Sequence, residues 1–147
     1  MGCVVMNETT QSGAGDLDSV RVLVVDDQAP FRDAARAVIA RVPGFELIGE
    51  ATSGEDAVIL VEELRPSVVL MDINMGAIDG VEATRIITMA FPETFVILVS
   101  TYAVDDLPPG ARSCGAAAYV NKDELSPRVV RRLWEAGGDP TWRRDPP

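Results

Sequence analysis

The chain has 147 residues, a length that builds one domain with a sizeable core and falls short of two ordinary ones. Its 23 acidic against 13 basic residues, a net charge of −10, oppose attraction to nucleic acids and anionic membranes. Two cysteines, Cys3 and Cys114, make neither a disulfide framework nor a metal-ligand spacing, so both read as free thiols in a reducing compartment, with the cytoplasm as the expected location.

Residues 1–19 are rich in Ser, Thr, Gly, Asn and Asp without periodicity, which predicts a disordered N-terminal tail. The start lacks basic residues and does not read as a secretory signal, and the apolar runs are far too short to span a bilayer. From Val20 onward, β-branched runs recur at Val20 to Val25, Phe45 to Glu50, Val68 to Met71, Phe95 to Val99 and Ala116 to Val120. Most are continuously apolar, as strands covered on both faces of a parallel sheet should be. Between them, Phe31, Ala34, Ala35, Val38 and Ile39 recur at helical spacing, as do Ala57, Leu60, Val61 and Leu64, and then Ala83, Ile86, Ile87 and Ala90. A fourth helix is expected only as about two turns from Pro109 to Cys114, because Pro108 and Pro109 cannot sit inside it. Ser126 and Pro127 suit the cap and first turn of a last helix through Trp134, and residues 137–147 read as a flexible tail.

Alternating strands and helices with right-handed crossovers imply an α/β, doubly wound, five-stranded parallel sheet in the order 2-1-3-4-5, with its domain at 20–136. Ligands bind such sheets at the carboxyl ends of the strands, where the order reverses. Asp26 and Asp27 end strand 1 and Asp72 ends strand 3, so three carboxylates converge on that crevice. Their mutual repulsion calls for a hard cation, Mg²⁺ or Mn²⁺. A carboxylate there can act as a nucleophile toward phosphorus, with Ser100 at the end of strand 4 and Lys122 at the end of strand 5 placed to bind phosphoryl oxygens.

The motifs Val22 to Asp27, Val68 to Met75 followed by Asp79-Gly80, Leu98 to Ser100 and Ala116 to Lys122 resemble the receiver domain of bacterial two-component response regulators. The resemblance covers residue 20 to about 136 and implies a flavodoxin-like receiver fold. It further implies that Asp72 is phosphorylated from a histidine kinase or phosphotransfer protein. Asp27 and Asp72 would hold the metal, with Asp26 acting through water and Asn74 through its backbone carbonyl. Ser100 would be the switch hydroxyl, Tyr119 the switch aromatic and Lys122 the phosphate-binding lysine. Such a protein is no enzyme beyond its own phosphorylation and dephosphorylation. Its output would be a protein contact or phosphorelay through the face made by helix 4, strand 5 and helix 5, the face through which two copies could also pair. Gly76 stands where the family usually has proline, which implies a looser loop after Asp72, and Thr101 replaces a usually smaller residue, which implies slower phosphate turnover.

Singly, each residue has a plainer reading. Asp26 and Asp27 could be a turn, Ser100 a strand-end hydrogen bonder, Lys122 a surface lysine, Tyr119 packing, and Arg128, Arg131 and Arg132 a solvated face. Their arrival at the same sheet edge favours the functional reading. Two alternatives are an interaction module independent of phosphorylation, and a phosphatase or mutase, which would want an acid where Asn74 stands. Only 25 residues follow Lys122, which leads to the expectation of a stand-alone receiver with no DNA-binding domain.

Overall fold

A computed structural model of the chain describes residues 19–75 and 78–142. The expected N-terminal tail up to residue 18, with Cys3, therefore lies outside the described residues, as do Gly76 and residues 143–147.

The strands follow from the apolar runs. They are β1 (Val20–Val25), β2 (Phe45–Ala51), β3 (Val68–Asp72), β4 (Phe95–Ser100) and β5 (Ala118–Asn121). All pair in parallel, in the order β2-β1-β3-β4-β5. The expected topology is the observed one. The β1–β2 register slips between Val22 and Leu23, where Leu47 and then Gly49 are the partners and Ile48 is bulged out.

Continuously apolar strands serve two cores at once, since successive side chains point to opposite faces. Leu23, Val25, Val69, Met71, Val96 and Leu98 face one way and pack with Ala57 and Val61 of α2 (Gly54–Leu64) and Ala83 and Ile87 of α3 (Gly80–Ala90). Val22, Val24, Val68, Leu70, Ile97 and Val99 face the other way, onto Ala35 and Ile39 of α1 (Ala29–Ala40) and Val130 of α4 (Pro127–Ala136). Leu23, Leu70, Met71, Ile97 and Leu98 are fully buried, each contributing about 1.5–3 kcal/mol of hydrophobic stabilisation.

Three of the four helices open on a side-chain cap. Ser53 accepts from the Asp56 N–H at 3.1 Å, Asp79 from Glu82 at 2.9 Å and Ser126 from Val129 at 3.2 Å, which satisfies N–H groups the helix cannot. The expected Ser126-Pro127 start is borne out, and α4 closes on Gly137 in the left-handed conformation. Arg131 donates to the Pro43 carbonyl at 3.3 Å, while Arg128 and Arg132 are exposed.

The sequence-based expectations fail in two places. The two-turn helix from Pro109 to Cys114 is replaced by isolated 3₁₀ turns at Val104–Asp106 and Ala111–Ser113. Two prolines without N–H groups and Gly110 at φ +87° leave only bonds three residues apart, from Ala111 to Pro108 and from Ser113 to Gly110. Residues 137–142 are no free tail either. They fold back on the sheet and bury Trp142, whose large apolar area repays the ordering of the segment. Among the described residues, no helix is long and apolar enough to cross a membrane.

Candidate functional site

Four strands, β1, β3, β4 and β5, deliver the site to one edge of the sheet. Asp26 continues the ladder past β1 by donating its N–H to the Ala51 carbonyl at 3.0 Å, and Asp72 is the last residue of β3. One carboxylate oxygen from each of Asp26, Asp27 and Asp72 lies within 4.8 Å of the others. The position of Asp72 is held from behind. The Gly80 N–H donates to the Ile73 carbonyl at 2.8 Å, and a Cβ on Gly80 would sit 1.9 Å from the Asp72 carbonyl oxygen, so α3 can start this close to β3 only with glycine there.

Burial separates the three acids. Asp26 is fully buried, its Oδ1 accepting from the Gln28 N–H at 2.8 Å and its Oδ2 lying 2.6 Å from Lys122 Nζ. Arg32 donates to the Asp26 backbone carbonyl at 2.7 Å and is itself paired with Glu50 at 3.3 Å. Asp27 is exposed. Asp72 is 4% exposed, and burial, followed by the neighbouring Asp26 charge, pushes its carboxyl up to about 6 against the opposing pull of Lys122 and the Asn74 N–H.

Lys122 Nζ is closer to Asp26 than to Asp72, whose Oδ1 is 3.5 Å away, and it also lies 4.5 Å from the centre of the Phe31 ring. The ammonium therefore bridges two carboxylates. A cleft of about 220 Å³ opens above them, lined by Asp27, Gln28, Asp72, Asn74, Ser100, Thr101 and Lys122. Of the expected metal and phosphoryl-site residues, Asp27, Asp72, Asn74, Ser100 and Lys122 line it, whereas Asp26 and Tyr119 do not. Tyr119 stands behind Ser100, its hydroxyl 3.1 Å from Ser100 Oγ and also donating to the carbonyls of Ser100 and Tyr102. Burial raises the Tyr119 phenol above its ordinary value. The Tyr102 N–H donates to Ser100 Oγ at 2.9 Å.

Sequence reasoning did not foresee Gln28 in the cleft, Phe31 under Lys122, or Trp142 stacked on Tyr119 at 5.9 Å between ring centres. Phe31 belongs by its spacing to the apolar stripe of α1, and Trp142 lies in the expected tail beyond Gly137, Gly138 and Pro140, so the sequence pattern assigns neither to the site.

Three carboxylates with one lysine leave an excess of negative charge, and all the donors are hard oxygens. Burial first, and the Asp26 charge second, disfavour an ionised Asp72, so a cation bound beside it would favour the charged form. The donor set fits a small divalent cation, which keeps waters and accepts one or two carboxylates.

Residues 22–133 match the response regulator receiver domain family. The response regulator GacA of Pseudomonas aeruginosa is 39% identical over 114 residues, covering 78% of this chain and 53% of that protein. The transcriptional regulatory protein DegU of Brevibacillus brevis is 34% identical over 106 residues, 72% of this chain and 45% of the relative. The signal receiver domain of the putative response regulator NarL from Mycobacterium tuberculosis superposes with a TM-score of 0.73 at 27% identity, covering 81% of this chain and 96% of that one. The chain thus spans about half the length of the curated relatives it matches.

Proposed function

The chain belongs to the response regulator receiver domain family, and from that premise we propose that its cleft accepts a phosphoryl group on Asp72 from a histidine kinase or phosphotransfer protein. The observation that carries the reading is the convergence of Asp26, Asp27 and Asp72 within 4.8 Å, with Lys122 3.5 Å from Asp72, at the edge where the strand order reverses.

In the proposed step an Asp72 Oδ attacks phosphorus, the bond from phosphorus to the donor histidine nitrogen breaks, and the imidazole leaves with that electron pair and takes up a proton. Asp27, Asp72 and the Asn74 backbone carbonyl would hold Mg²⁺ or Mn²⁺, with Asp26 acting through water. The ion when bound neutralises charge on the phosphoryl oxygens. Lys122 is positioned to transfer its attraction from Asp26 to a phosphoryl oxygen, which the bridging position between the two acids favours. Ser100 lines the same cleft and donates its hydroxyl hydrogen to a second oxygen. Tyr119, hydrogen-bonded to that hydroxyl in the unmodified protein, fills the space Ser100 vacates when it turns, and so transmits the modification to the surface around β5.

The output of this domain is a protein contact or onward phosphoryl relay in the cytoplasm, and its net charge of −10 disfavours nucleic acid as its own partner. The test is incubation with Mg²⁺ and acetyl phosphate, then intact mass. A Mg²⁺-dependent adduct of one phosphoryl group, absent in Asp72→Asn, is expected; an adduct that persists in the variant rejects Asp72 as the acceptor.

A further inference from the structure

After α4, the chain packs its residues 137–142 against the candidate switch. Gly137 and Gly138, at φ +74° and +113°, turn it back, and the Asp139 N–H donates to the Ala117 carbonyl at 3.0 Å beside β5. A Cβ on Gly138 would lie 2.8 Å from that same carbonyl oxygen, so the close approach requires glycine. A turn closed by the Trp142 N–H on the Asp139 carbonyl at 3.1 Å then delivers the indole, which is 3% exposed. It stacks on the Tyr119 ring with 30° between the planes. The Arg112 guanidinium lies 4.7 Å from the indole centre and donates to the Trp142 carbonyl at 3.1 Å.

A continuous series of contacts therefore runs from the cleft through Ser100 and Tyr119 to Trp142. Among the described residues, the Trp142 indole N–H is buried without a hydrogen-bond partner. An orphaned buried donor opposes the docked position, so undocking recovers the hydration of that group.

We infer that residues 139–142 form a strap that clamps Tyr119 onto Ser100 in the unmodified protein and lets go when a phosphoryl group on Asp72 draws the Ser100 hydroxyl to itself. The inference rests on the phosphoacceptor reading. Ser100 Oγ is shared with the Tyr119 hydroxyl, and turning it toward a phosphoryl oxygen breaks that link. The Tyr119 hydroxyl then keeps only the backbone carbonyls of Ser100 and Tyr102, and the ring on which Trp142 stacks is held less firmly. Phosphorylation proceeds from the released arrangement in this scheme, so weakening the strap raises the population of that arrangement and with it the rate of phosphorylation. Trp142 is a positioning residue, acting on the cleft only through Tyr119.

Hydrogen exchange of the full chain, treated with acetyl phosphate and Mg²⁺ and monitored for adduct by intact mass, tests this. The amides of Asp139 and Trp142 should exchange about tenfold faster or more in the phosphorylated protein, with those of Val24 and Leu70 unchanged. An adduct with unchanged exchange at 139 and 142 overturns the strap and leaves the phosphoacceptor reading standing; no adduct overturns that reading and the strap with it. Trp142→Ala should raise the initial rate of adduct formation about three- to tenfold, the size of one aromatic stack, and Trp142→Phe, which restores a ring, should return it toward wild type. A Trp142→Ala rate at or below wild type overturns the inference. Should that variant fail to fold, the exchange measurement on the wild-type protein decides alone.

Discussion

Replacing Asp72 by Asn should stabilise the metal-free protein at neutral pH, by an amount that grows with pH. The Asp72 carboxyl titrates at about 6 in the folded chain against an ordinary value of 3.8, because it is buried beside Asp26. Folding thus favours its protonated form. The stability this form contributes is fully present below pH 3.8 and is lost as pH rises through about 6. At about 1.4 kcal/mol per pH unit, the gap amounts to roughly 3 kcal/mol lost by pH 7. An amide at position 72 carries no such dependence. Urea unfolding in EDTA from pH 4 to pH 7.5 should therefore show the variant gaining on the wild type by up to about 3 kcal/mol, a midpoint increase of about 1.5 M at a typical slope of ~2 kcal/mol/M. Added Mg²⁺ should stabilise the wild type more than the variant, since its binding to the folded state is linked to an ionised Asp72. A stability difference between the two proteins that stays flat across this range would refute the argument that Asp72 is held as a strained anion.

Lys122→Met should cost about 3–5 kcal/mol in the same assay, because it leaves the buried Asp26 carboxylate without the ammonium 2.6 Å away, and adding Asp26→Asn should recover most of the loss. Gly80→Ala should lower both the unfolding midpoint and the yield of phosphoryl adduct, since a methyl group 1.9 Å from the Asp72 carbonyl must push α3 away from β3; an adduct yield equal to wild type would show the nucleophile indifferent to that contact. Thr101 is exposed at the lip of the cleft, so Thr101→Ala should admit water more readily and shorten the aspartyl-phosphate lifetime, measured by decay of the adduct mass; an unchanged lifetime would remove Thr101 from the account.

The strands were legible because runs such as Val22 to Val25 and Val68 to Met71 are fully buried by virtue of their own composition, and each ends on the acid that matters. Topology followed from chirality and connection length, and the converging acids followed from topology. What could not be read is interaction between segments distant in sequence. Nothing near Lys122 reveals that Asp26 and Phe31, about ninety residues earlier, compete with Asp72 for its charge. The crossover from β4 to β5 was half legible, since Pro108 and Pro109 excluded a long helix, yet only coordinates could show two separated 3₁₀ turns in its place.

The position of Trp142 moves the boundary of the folding unit. Family similarity ends at residue 133 and the last helix at Ala136, but the core that includes Leu98 and Met71 is closed by a side chain six positions beyond the helix. A domain excised at the helix end, for fusion to another protein or for exchange with a related receiver, would carry an uncovered apolar notch beside Tyr119 and an incentive to self-associate. Grafts of this domain are best joined after residue 142.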